Sequence, residues 1–200
     1  MKRVFLLICL LAFAGTAFAG FSLGFKHTEV PTYVNIGTSG ASVDLYDVYM
    51  LRIGAMASPQ FRIEGYIGYA KESYEIDPST PPTEIDGSVM VFGAGGYYVI
   101  ASPANTSFSI GAQFLYGKTT YEVNGNSNQP ETTAWCLDPL MRIDFAIPGA
   151  ERFALFTEFG IRYANATTEV TTTTGTIDYK WSGWQTYSPA NILAGAYYIF

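Results

Sequence analysis

Four arginines and four carboxylates recur at strand spacing: Arg52, then Arg62 with Glu64, then Asp138 with Arg142 and Asp144, then Glu158 with Arg162. All eight share one parity within their runs. The neighbours of opposite parity are almost all apolar, with Asp47, Pro139 and Thr157 as exceptions. Period-two alternation places such a set on one face of successive β-strands. Four positive and four negative charges on one face is the composition of a buried ion-pair network, because charges taken out of water must be matched. A solvated face needs no such balance. Catalytic chemistry has a thinner basis. His27 is the sole histidine, and Ser73 or Ser88 with Glu72 or Asp86 could join it at one rim. No motif links them, and a lone histidine beside polar residues reads as solvated.

The elements that carry these residues are strands. Phe21, Leu23 and Phe25 alternate with Ser22, Gly24 and Lys26 in a first strand. The spacing predicts further strands over about 43–56, 61–70, 88–101, 107–117, 134–147, 152–163 and 190–200. Strand four is apolar on both faces; Met90, Phe92, Ala94, Gly96, Tyr98 and Ile100 are assigned outward. Short turns are expected at Ala57–Gln60, Ser102–Thr106 and Pro148–Glu151. Long polar loops are expected at 26–42, 71–87, 118–133 and 165–186, where Pro, Gly, Asn and Thr accumulate. Eight antiparallel strands with alternating long and short connections describe an all-β, up-and-down closed barrel.

Composition narrows the setting. Met1-Lys2-Arg3, an apolar run from Val4 to Ala14 and the site Ala17-Phe18-Ala19 are expected to form a secretory signal peptide over 1–19, leaving one β-barrel domain over 20–200. Without Lys2 and Arg3, nine basic residues face 17 acidic ones, a balance that opposes nucleic-acid binding. Cys136 is then the sole cysteine, so no internal disulfide or cysteine metal site is expected. The acidic stretch with Glu72, Glu75, Asp77, Glu84 and Asp86 lacks calcium-ligand spacing and reads as a solvated loop. No cofactor is expected.

Which face is wet decides between a soluble barrel of the lipocalin type, with the charges outside, and a membrane barrel with them inside. The balanced charges favour the second. So do Tyr49, Tyr69, Tyr98, Tyr116, Trp135 and Tyr163, which stand toward strand ends on the apolar face as an interfacial girdle would. Strand eight closes on Tyr198 and Phe200, an aromatic ending that resembles the assembly signal of bacterial outer-membrane barrels. From Gly20 to Phe200 the pattern resembles the small eight-stranded outer-membrane barrels of the OmpA and OmpX type. The resemblance implies a monomer in the outer membrane, in contact with its lipid and lipopolysaccharide and delivered by the barrel assembly machinery. Its lumen would be filled, with Arg62, Arg142 and Arg162 paired to Glu64, Asp144, Glu158 and Asp138. Function would then lie in surface loops that hold an extracellular ligand, as in adhesion-type proteins. A narrow pore or an OmpW-like conduit for small apolar solutes needs an apolar lumen, which the charged face opposes. A lipid-modifying enzyme is the remaining alternative.

Overall fold

The computed structural model describes residues 20–37, 40–76, 83–123, 130–172, 175–186 and 193–200; the expected signal peptide lies outside the described residues. The described chain is all-β. Its strands are β1 (Phe21–Gly37), β2 (Gly40–Ser58), β3 (Phe61–Ile76), β4 (Thr83–Ala101), β5 (Thr106–Val123), β6 (Glu131–Ile147), β7 (Ala150–Thr172), β8 (Gly175–Thr186) and β9 (Leu193–Ile199). Every neighbouring pair is antiparallel, from β1–β2 through β6–β7. The last position of the ring is shared: β8 pairs with one stretch of β7, while β9 pairs with another and with β1. Nine described strands therefore fill eight positions of a closed barrel. Closure satisfies the backbone groups that lipid cannot.

Outward and inward faces follow the alternation. Leu23, Phe25, Ile63, Ile67, Phe92, Ile110, Phe114, Met141, Leu155 and Ile161 are exposed, and their neighbours point inside. So large an exposed apolar surface, continuous around the ring, is a lipid-facing belt rather than a solvated surface. Strand four faces as expected, with Met90, Phe92, Tyr98 and Ile100 exposed and Val89, Val91 and Tyr97 buried.

Three tight turns and both described ends of the chain lie at one end of the barrel. The Ser58 hydroxyl caps the first turn, accepting the Phe61 amide at 3.0 Å. Ala104 in the second and Gly149 in the third adopt positive φ values of 46° and 81°. At the opposite, far end the structure corrects the expected loops. β1 runs on to Gly37 and β2 begins at Gly40, where a loop over 26–42 was expected. β3 and β4, β5 and β6, and β7 and β8 likewise extend through most of 71–87, 118–133 and 165–186. β7 alone has 23 residues, where about 9–11 suffice to cross the hydrocarbon layer. Beyond the belt both faces turn polar, so the period-two signal vanishes while the ladder continues. Thr and Tyr, which favour strands, are frequent there.

Candidate functional site

The lumen has two storeys. In the half nearer the turns, all eight charged residues singled out above are buried, and the fold adds a ninth, Lys26. The sequence pattern puts Lys26 on this face but ends the strand at it, which keeps it out of the expected network. The interior thus holds five cations and four carboxylates among the described residues.

Glu64 and Asp144 form its centre around Arg142. Arg142 Nη1 donates to both Glu64 oxygens at 2.9 Å, and its Nε donates to Asp144 Oδ1 at 2.9 Å. Arg52 donates to Glu64 as well. Arg62 Nη1 reaches Asp144 at 3.0 Å, and the Tyr197 hydroxyl donates to the same oxygen at 3.0 Å. Phe156 lies 3.8 Å beneath the Arg142 guanidinium, and Tyr197 4.1 Å from that of Arg52. The electron-rich faces of these rings supplement the carboxylates. A Cβ on Gly54 would stand 2.8 Å from both Arg52 Nη2 and Ser22 Oγ, so the glycine makes room for the guanidinium.

One level up, Glu158 accepts Lys26 and takes the Tyr97 hydroxyl at 3.0 Å. Tyr66 donates to Glu64 at 2.7 Å, and its oxygen lies 2.7 Å from that of Tyr97, so neighbouring hydroxyls serve the two carboxylates. Gln113 accepts Lys26 and donates to Asp138 at 2.7 Å. Asp138 in turn holds Arg162 as a fork, with Nε at 2.8 Å and Nη2 at 2.7 Å. Such bidentate pairs are the strongest and most directional ionic contacts available. From Arg62 near the turns to Arg162 at mid-barrel the lumen is bridged from wall to wall. At the turn end the network borders a cavity of about 190 Å³ whose lining includes Arg62, Asp144, Ser107 and Tyr197.

The far storey has no counterpart in the sequence expectations. Val30, Val48, Met50, Val91, Leu115, Cys136 and Ala164 form one buried apolar cluster, with Trp181 packed against it. The lumen is therefore charged below and apolar above. Around Val89, Val91 and Leu115 the outward neighbours are apolar or aromatic too, so no contrast in the sequence betrays them.

The other candidates disperse. His27 pairs with Asp47 at 3.0 Å on the outer face and stacks beside Tyr49. Ser88 bonds Thr120 at 2.9 Å, and Asp86 pairs with Lys71 at 3.1 Å. The side chains of Glu72 and Ser73 lie outside the described residues. Among the described residues no group of three or more His, Cys, Asp or Glu could hold a metal ion. Above the belt, Asp86 and Glu131 hold the Lys71 and Lys118 ammonium groups above their ordinary pKa through hydrogen bonds. At the closing edge Phe200 donates its amide to the Phe21 carbonyl at 2.9 Å, and its ring contacts those of Phe21 and Tyr198.

No protein-family model matches the chain, and no curated protein matches it in sequence. Solved structures do. Ail, the attachment invasion locus protein of Yersinia pestis, solved in complex with the heparin analogue sucrose octasulfate, is 12% identical over 90% of this chain and 99% of that one, with a TM-score of 0.51. Neisserial surface protein A is 14% identical over 90% and 97% of the two chains, with a TM-score of 0.49. A major outer membrane protein of Thermus thermophilus is 12% identical over 90% and 98%, also at 0.49. At such identities the likeness is one of fold, and the Ail comparison carries it: this chain is an antiparallel up-and-down β-barrel of the small eight-stranded outer-membrane type.

Proposed function

We propose that the protein is a monomeric, non-enzymatic outer-membrane barrel that serves as a closed scaffold and presents its far end to the cell exterior for surface interaction. The observation that carries this reading is the network itself. Nine buried charges on five strands, centred on an Arg142 with no exposed surface, fill the turn-end half of the lumen. A barrel that does not conduct offers its outer surface instead. In this reading Tyr198 and Phe200 present the closing edge to the barrel assembly machinery, and the belt meets outer-membrane lipid and lipopolysaccharide.

The far end favours one class of partner. Outward positions above the belt carry Glu29, Asp47, Asp86, Glu122, Glu131, Glu169 and Asp178 against Lys71, Lys118 and Lys180. Ail was solved with a polysulfated sugar; this acidic rim repels such a ligand and suits a basic one. Cells displaying the protein should be retained on an immobilised basic protein at low ionic strength and released by salt. Charge reversal at Glu122, Glu131 and Glu169 should abolish retention. Equal retention with and without the protein would refute the adhesive reading.

A further inference from the structure

The surplus positive charge of the lumen is not spread evenly. Lys26 has Glu158 to itself at hydrogen-bond distance, and Arg162 has Asp138. Nearer the turns, three guanidiniums share two carboxylates: Arg52 and Arg142 bind Glu64, while Arg62 and Arg142 bind Asp144. Glu158 adds to Arg142 only at 3.6 Å. One uncompensated positive charge therefore lies at the turn end, where the cost of burying it falls if an anion joins it. Arg62 is the member placed to receive one. Its side chain is 11% exposed, against 0% for Lys26, Arg52 and Arg142 and 2% for Arg162. It donates from Nη1 to Asp144 at 3.0 Å, its one hydrogen bond among the described residues. The Nε–Nη2 edge of the guanidinium is left uncommitted.

Arg62 lines the turn-end cavity of about 190 Å³, and Asn105, exposed in the second turn, lines it too. The walls are mixed. Asn105 and Thr106 bring amide and hydroxyl donors, while Ala146, Ala154 and Ile199 are apolar. Asp144 also lines the cavity, but its charge is already answered. Its Oδ1 accepts from Arg62, Arg142 and Tyr197, and its Oδ2 accepts from Ser107 at 3.2 Å. We propose that this cavity binds a short aliphatic monocarboxylate, taken up from the water at the turn end and held by Arg62. A carboxylate offers two coplanar oxygens to the two parallel N–H groups of a guanidinium edge. Its single charge matches the single surplus, which a divalent phosphate would overshoot. The cavity has room for about six waters, enough for the carboxylate and a short chain against the alanines. The site is independent of adhesion at the far end. It also adds an anion to the plug without opening a path through it.

The methyl group of Ala154 reports on the cavity in every variant. Protein labelled with ¹³C at the alanine Cβ is refolded into dimyristoylphosphatidylcholine nanodiscs and titrated with sodium butyrate. Sodium chloride at matched ionic strength and sodium phosphate are run alongside. The Ala154 resonance should shift saturably with butyrate, half-saturating at about 1 mM, within the binding efficiency open to so small a ligand. Chloride should produce no saturable shift, and phosphate should bind more weakly than butyrate. Arg62→Lys keeps the charge but loses the fork, and should weaken butyrate about tenfold. Arg62→Met, which leaves four cations with four carboxylates, should abolish the shift. Ala146→Leu fills the cavity with Arg62 untouched; it should also abolish the shift, and it keeps the test usable if an Arg62 variant does not fold. A shift that rises linearly, that chloride reproduces, or that Arg62→Lys and Ala146→Leu leave unchanged would overturn the site. Phosphate binding tighter than butyrate would overturn the monocarboxylate assignment.

Discussion

Glu158 is the position where the two-storey lumen is most exposed to test. Its carboxylate is buried completely and is the only one that Lys26 reaches, the second partner of that ammonium being the neutral Gln113 amide. The interior carries five cations against four carboxylates, so Glu158→Gln raises the excess positive charge from one to two. It also leaves a buried ammonium without an anion. Breaking a buried pair from one side costs about 3–5 kcal/mol. Lys26→Met alone removes the surplus cation, and each carboxylate keeps a cationic partner: Glu158 has Arg142 at 3.6 Å. The double variant Lys26→Met/Glu158→Gln should therefore recover most of the loss, giving a coupling energy of about 2 kcal/mol or more. Urea unfolding in lipid vesicles, read by tryptophan fluorescence and by the mobility of the folded band on a gel, measures all four proteins. A Glu158→Gln cost below about 1 kcal/mol, the range of exposed pairs, would show that water reaches this site. Additive single losses would show that Lys26 and Glu158 do not act as a pair.

Much of this site was legible because alternation is strict inside a membrane. Arg62 with Glu64 and Arg142 with Asp144 stand two residues apart, and lipid forbids charge on the intervening positions. Lys26 escaped because it precedes His27-Thr28-Glu29, a run that reads as the start of a loop when only apolar alternation is sought. The same bias ended β3 near Ala70 and β5 near Gly117, although their ladders continue to Ile76 and Val123. There, polar residues on both faces remove the contrast that marks a strand. The apolar storey was hidden for the opposite reason: Val89 and Val91 alternate with Met90 and Phe92, and two apolar faces carry no sign of which is inside. The split of the last position into β8 and β9 leaves no signature in local pattern at all. It emerges only from the register of β7, which is laddered to one over its upper part and to the other below.

Arg142→Met should cost less than Glu158→Gln in the same urea assay. It lowers the interior excess to zero, and Arg52, Arg62 and Lys26 still serve Glu64, Asp144 and Glu158; a larger loss would place the central stabilisation on Arg142 instead. Deleting Phe200 removes the amide bond to Phe21 and two ring contacts at the closing edge. The yield of folded band in cells should fall, and an unchanged yield would mean that the last residue has no part in closure or assembly. Protease added to intact cells should cut between Lys71 and Gly87, at the far end. Cutting only after the outer membrane is ruptured would invert the orientation.

The claim that the charge network closes the lumen is tested most directly by ion conductance of the refolded protein in a planar bilayer, on samples qualified by the folded band. A barrel bridged by Arg142, Glu64, Asp144 and Glu158 is predicted to be silent, or to show only rare, small openings. Steady, ion-selective channels would contradict it, because the same side chains would then line a water-filled path.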